Sequence, residues 1–133
     1  MVWISFKQTQ PDQTFILSRD LKFSKITVAD VTCDVNEFDP TIVNALFLLN
    51  DFNENSFLFS DGKINNTDWF FDLPVITDEK FNWHSTDLSK CHWQGSTQSK
   101  RYLRLRAVND TGRILGNGEW GLNTELHWII YFE

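Results

Sequence analysis

Arg101-Tyr-Leu-Arg-Leu-Arg-Ala-Val108 and His127-Trp-Ile-Ile-Tyr-Phe132, joined by a Gly- and Asn-rich connection, decide how this chain reads. Successive side chains of an extended chain point to opposite faces, so Leu103, Leu105 and Ala107 share one face and Tyr102, Arg104, Arg106 and Val108 the other. The first set is core. The second belongs to solvent or to a neighbouring subunit. Between the two runs, Asn109-Asp-Thr-Gly112 is a tight-turn sequence that calls for a positive backbone angle at Gly or Asn, so Arg113-Ile-Leu115 is expected to return as a short hairpin partner. Two long strands closing one sheet are predicted.

Outward from that segment, the chain reads as strand after strand. Val2, Ile4 and Phe6 alternate with Trp3, Ser5 and Lys7, the period of a strand with one buried face. Gln10-Pro-Asp12 interrupts it, because proline removes a ladder donor and Asp favours turns. A second strand is expected over Thr14–Leu17, a turn at Ser18-Arg-Asp20, and a third strand in which Leu21, Phe23, Lys25 and Thr27 oppose Lys22, Ser24, Ile26 and Val28. Val31–Val35 continues in β-branched residues. Asp39 followed by Pro40 is a good helix start, which allows one short helix near residues 40–49. The unbroken apolar run from Ala45 equally fits a strand buried on both faces, and a strand over Ala45–Asn50 is the preferred reading. Phe57, Phe59, Trp69 and Phe71 are candidates for cross-strand aromatic pairs. Thr77–Ser99 reads as long loops. Together these segments predict an all-β fold: a single domain, residues 1–133, built as an antiparallel, jelly-roll-like β-sandwich of about eight strands.

Composition points the same way. With 12 Phe, 6 Trp and 2 Tyr against 1 Met among 133 residues, the chain is rich in strand formers. A formal net charge of −6 argues against a generic phosphate-binding surface, so nucleic acid is not an expected partner. Cys33 and Cys91 lie far apart, as suits two thiols in a reducing compartment, with one disulfide as the other option. The segment Met1–Lys7 is too quickly polar for a secretory signal. No apolar run reaches the length of a membrane span, so neither a signal peptide nor membrane insertion is expected.

Few residues point to chemistry. His84, Cys91, His92 and Cys33 are the right types for zinc, but their spacing fits no tetrahedral site, and neither metal nor cofactor is expected. Asp51 with Glu54 and Asp78 with Glu79 are acid pairs that a solvated surface explains. No serine sits in a nucleophile elbow, and a non-enzymatic role is expected. The cluster Lys100, Arg101, Arg104 and Arg106 reads as a solvated strand face, a contact with acidic residues of another subunit, or an anion site, since a guanidinium pairs with planar anions at two points. Trp83, Trp93 and Trp120 lie beside polar, turn-rich sequence. They are candidates either to plug the ends of the fold or to contact a partner, a protein surface or the flat face of a sugar. The candidate contact residues are therefore Trp83, Trp93, Trp120, Tyr102, Arg104 and Arg106.

From Leu103 to Phe132, a strand, an Asn-Asp-Thr-Gly hairpin, a Gly-Glu-Trp-Gly turn and a final aromatic strand follow one another. This succession resembles the end of small β-sandwich proteins of DNA viruses, virophages and phages, the fibre-head-like and minor capsid-associated proteins. The resemblance covers about thirty residues and carries no site residue across. It implies a homotrimer at the virion surface, made in the host cytoplasm, that binds a host receptor, a glycan or a sibling capsid protein without a cofactor. The alternative is a monomeric carbohydrate-binding or lectin-like module using exposed tryptophans.

Overall fold

A computed structural model describes residues 2–39, 41–42, 44–49, 59–60, 63–64, 71–74, 81–84, 92–109, 111 and 113–133, with side chains described for these except 34, 44, 46, 48, 59–60, 63–64, 71–74, 81–84 and 92–96. The elements in chain order are β1 (Val2–Gln8), β2 (Asp12–Val35), β3 (Asn44–Leu49), β4 (Phe59–Ser60), β5 (Lys63–Ile64), β6 (Phe71–Pro74), β7 (Phe81–His84), β8 (His92–Val108), the single helical turn α1 (Asn117–Trp120) and β9 (Glu125–Phe132). The chain is mostly β, as its Phe-, Trp-, Val- and Ile-rich composition predicts. The described strand pairings are all antiparallel. One sheet runs in the order β1-β9-β2-β8-β3-β6, with β7 added to β2, and β4 with β5 forms a separate ribbon. The sheet curls into a half-barrel.

The two strands read first from the sequence, β8 and β9, lie in the same sheet but do not touch: β2 separates them and pairs with both. β2 is one strand of 24 residues. The expected turn at Ser18-Arg-Asp20 is not a reversal. The ladder to β8 skips from Ile16↔Tyr102 to Leu21↔Lys100, so Leu17–Asp20 bow out opposite Arg101, whose Nη2 donates to the Ser18 carbonyl at 3.3 Å. Turn-forming residues here mark where a ladder breaks and the chain continues.

Further along, β2 carries bulges. The N–H groups of Ser24 and Lys25 both donate to the carbonyl of Glu133, at 2.7 and 3.1 Å, so two residues oppose one. The register to β9 slips again between Val28 and Asp30, and between Cys33 and Val35. Each slip changes which parity faces inward. The buried residues are accordingly Leu21 and Phe23, then Ile26 and Val28, then Val31 and Cys33. Ile26 and Val28 therefore join Leu21 and Phe23 in the core, whereas strict alternation placed them opposite.

Bulges bend a strand and sharpen its twist, and a bent strand can serve two parts of a sheet. The first half of β2 runs with β8 and the second half with β9, which brings the inner faces of β3 and β9 together: Phe47 meets Trp128 edge-on, with ring centroids 4.8 Å apart. Phe6 of β1 likewise packs on Phe15 of β2 at 4.7 Å. Leu103, Leu105 and Ala107 of β8 are fully buried, as their alternation predicts. So, nearly so or fully, are Leu126, Trp128, Ile130 and Phe132 of β9. The Trp128 indole N–H donates to the Gln8 side-chain oxygen at 3.0 Å, tying β9 to the end of β1.

Asn44–Leu49 is a strand, not a helix. Residues 92–99, read as loop, are the first half of β8, and residues 81–84, within the same expected loop, form β7. The return of Arg113–Leu115 is present as a bridge from Ile114 to Val108. The Asn109 side chain holds that turn by accepting from the Thr111 and Arg113 N–H groups, each at 3.0 Å. Gly112, which with Asn109 was expected to take a positive backbone angle, lies outside the described residues, as does Asp110. So do Phe57, Trp69 and Cys91. Among the described residues no helix is long and apolar enough to cross a membrane.

Candidate functional site

The outer face of β8 was the sequence's first candidate for contact, and the structure gives part of it a partner within the chain. In the β2–β8 ladder Asp12 opposes Arg106, Thr14 opposes Arg104 and Ile16 opposes Tyr102. Arg104 reaches diagonally to Asp12: Nε donates to Oδ1 at 2.9 Å and Nη2 to Oδ2 at 2.8 Å, a two-point charge-assisted pair. The guanidinium's hydrogen bonds hold the Asp12 carboxyl below its usual range, against the opposing effect of partial burial; the positive charges of Arg104 and Arg106 add to this. Arg106 itself is buried. The expectation that Arg104 and Arg106 form a face with no need inside the chain is thereby corrected. What this face leaves open is Ile16, 78% exposed, beside half-buried Tyr102.

The tryptophans divide. Trp120 does not present its ring to solvent: it is 1% exposed, its indole N–H donates to the Thr124 carbonyl at 3.1 Å, and Phe38 packs on it edge-on at 5.1 Å. It plugs one end of the half-barrel. Its setting is tightly built. Glu119 accepts from the Gly116 N–H at 3.0 Å and pairs with Arg113 at 2.8 Å, and these two partners lower its pKa. The Glu37 carboxylate accepts from the Asn123 N–H, and Thr124 Oγ1 accepts from the Glu37 N–H. Trp83 and Trp93 belong to strands, with backbones in register with Val31 and Ile26, and their side chains lie outside the described residues.

Of the candidate metal ligands, Cys33 is buried and its Sγ donates to the Val35 carbonyl at 3.0 Å. Cys91 and the side chains of His84 and His92 are outside the described residues, as are Asp51, Glu54, Asp78 and Glu79. Among the described residues no three His, Cys, Asp or Glu side chains converge.

Among the described residues, the most exposed large apolar side chains are ones the sequence reading passed over: Trp3 at 60%, Ile16, and Leu122 at 92% on the turn after α1. Trp3 and Ile16 are on long strands. Trp3 is on the outer face of β1 and stacks against Tyr131 of β9, ring centroids 4.6 Å apart. Farther along, Lys7 pairs with Glu125 at 3.0 Å. Beside β1 lies a groove of about 360 Å³ walled by Val2–Ser5 and Leu17–Leu21. A second groove of about 650 Å³ lies at the Trp120 end, between Thr9–Pro11 and Asn117–Leu122. The signal for Trp3 was present: the alternation that buries Ile4 and Phe6 puts Trp3 outside.

What this arrangement can do chemically is make surface contact, through edge strands and outward aromatics. Comparison of the chain with protein-family models, with curated proteins and with solved structures found no match.

Proposed function

We propose that this chain is a non-enzymatic structural module that acts by surface contact, a fibre-head-like component of a virus or phage that self-associates and binds a host receptor or a sibling capsid protein. The observation that carries the reading is the pair of large apolar side chains, Trp3 and Ile16, turned to solvent on strands whose opposite faces form the core. A lone exposed apolar residue needs no explanation, but aromatic and aliphatic side chains on a rigid β surface are the anchors from which protein interfaces are made. The jelly-roll-like sandwich of about eight strands is part of this proposal, and the contact of Phe47 on β3 with Trp128 on β9 supports it.

The carbohydrate-binding alternative has less to stand on, because one of its three tryptophans, Trp120, is packed inside. The test is the oligomeric state. Light scattering at micromolar concentration is expected to return a multimer, a trimer if the resemblance to fibre heads holds. A clean monomer throughout the range, with no binding to host-surface preparations, would sink the proposal.

A further inference from the structure

We infer that β1 is a self-pairing edge through which two copies of this chain join antiparallel about a twofold axis, making one sheet continuous from β9 through both β1 strands to the β9 of the second copy. The inference deepens the self-association proposed above and rests on it. It commits that association to a dimer contact, in place of the trimer that the resemblance implies.

The first ground is the state of the edge. β1 pairs with β9 over all seven residues without a register slip, from Val2↔Phe132 to Gln8↔Leu126, and no described strand pairs with its other side. Alternate residues there present N–H and C=O groups outward, and the groups that satisfy them best are those of another extended chain. The second is the lack of protection. Proteins blunt edges with proline, bulges or charges. Between Val2 and Gln8 there is neither proline nor bulge, and the one charged residue, Lys7, is turned onto β9 by its pair with Glu125. β2, by contrast, breaks register repeatedly and places Arg19, Asp20 and Lys22 at the surface. The third is the groove of about 360 Å³ that separates β1 from Leu17–Leu21.

The occupant follows from the sequence of the strand itself. A twofold through Ser5 sets Ile4 opposite Phe6 of the second copy, so half-buried apolar residues meet on the inner face. On the outer face it sets Trp3 opposite Lys7 of the second copy, whose ammonium keeps its pair with Glu125 while its alkyl stem covers the exposed indole. Ser5, small and exposed, opposes itself. Val2 opposite buried Gln8 is the one unlike pair, at the strand ends; the pairs nearer the centre match their own reverse, which makes the strand complementary to a second copy.

Directly opposed residues of antiparallel strands have Cα atoms about 4.5–5.5 Å apart, inside the roughly 4.4–6.8 Å that a disulfide spans. In a Cys91→Ser background, Ser5→Cys is therefore expected to convert the protein to a covalent dimer on mild oxidation: each of two thiols gives up a proton and an electron to added oxidised glutathione, which is reduced to two thiols. Ser5→Glu sets two like charges face to face and is expected to weaken the dimer at least about tenfold by sedimentation equilibrium, with circular dichroism unchanged. Outcomes separate cleanly. A wild-type trimer would overturn the β1 contact and keep the self-association reading; a monomer would overturn both. A dimer that Ser5→Cys does not cross-link, or that Ser5→Glu leaves intact, would overturn the β1 contact alone.

Discussion

Gly121 shows how one residue fixes the end of the fold. Its φ is +92°, a region that L side chains rarely adopt, and a Cβ added there would stand 2.3 Å from the Glu37 carbonyl oxygen. No flexible side-chain tip yields at that spot, since the obstacle is backbone. The approach is what lets Glu37 cap Asn123 and lets Phe38 close over Trp120. Gly121→Ala is therefore expected to lose roughly 1–3 kcal/mol from backbone strain alone, with the clash in addition. Gly118, three residues earlier in α1, has nothing within 4 Å of the equivalent position. Gly118→Ala is expected to gain about 0.5–1 kcal/mol by lowering the entropy of the unfolded chain. Urea unfolding of the two variants gives the comparison, and midpoints that moved together would show that the Glu37 contact does not hold this end.

At the scale of the element, β2 is where the sequence was hardest to read, and its bulges are the reason. The core positions Leu21, Phe23, Ile26, Val28, Val31 and Cys33 advance by two, three, two, three and two, so a period-two template fits each pair and fails across each bulge. β9 and the second half of β8 carry no such slip on their core-facing residues, and both were legible from alternation alone. Long-range partners were not legible: Asp12 meets Arg104 across 92 positions, and Phe38 buries a Trp120 whose sequence neighbours are Gly, Glu and Asn. Trp3 is legible from alternation, which sets it on the face opposite half-buried Ile4 and Phe6, whereas polar sequence neighbours do not mark an exposed tryptophan, as buried Trp120 shows. The bulge account makes its own prediction. Ala29 is the extra residue at the slip between Val28 and Asp30, so deleting it should leave Val28, Val31 and Cys33 facing inward in strict alternation and remove only the bulge and its bend. Deleting Thr27, which Tyr131 opposes, should instead turn buried Val28 outward. Displacing that side chain costs about 1.5–3 kcal/mol against a total stability of about 5–15 kcal/mol. Urea unfolding compares the two deletions: the Thr27 deletion is expected to be the less stable, and an Ala29 deletion that lost as much would mean that Ala29 is not the extra residue.

For the whole molecule, charge decides between two ways of assembling. Each copy carries a formal net charge of −6, so bringing two together works against their mutual repulsion. If copies join through β1, the contact consists of backbone hydrogen bonds, apolar side chains and Lys7. Salt then acts mainly by screening the repulsion, whose range shrinks from about 20 Å near 20 mM to about 6 Å near 300 mM. The dissociation constant is expected to fall severalfold between those concentrations. If instead copies join by setting the face of Lys100, Arg101 and Arg104 against acids of a neighbour, salt screens the attraction and the constant rises. Arg104 already gives two of its five N–H donors to Asp12 in a two-point pair, so offering the same geometry to a neighbour's acid means exchanging one carboxylate for the other. The β1 route requires no such exchange. Sedimentation equilibrium at the two salt concentrations reads the sign directly: tighter association at high salt accords with the edge contact, and looser association points to the basic face.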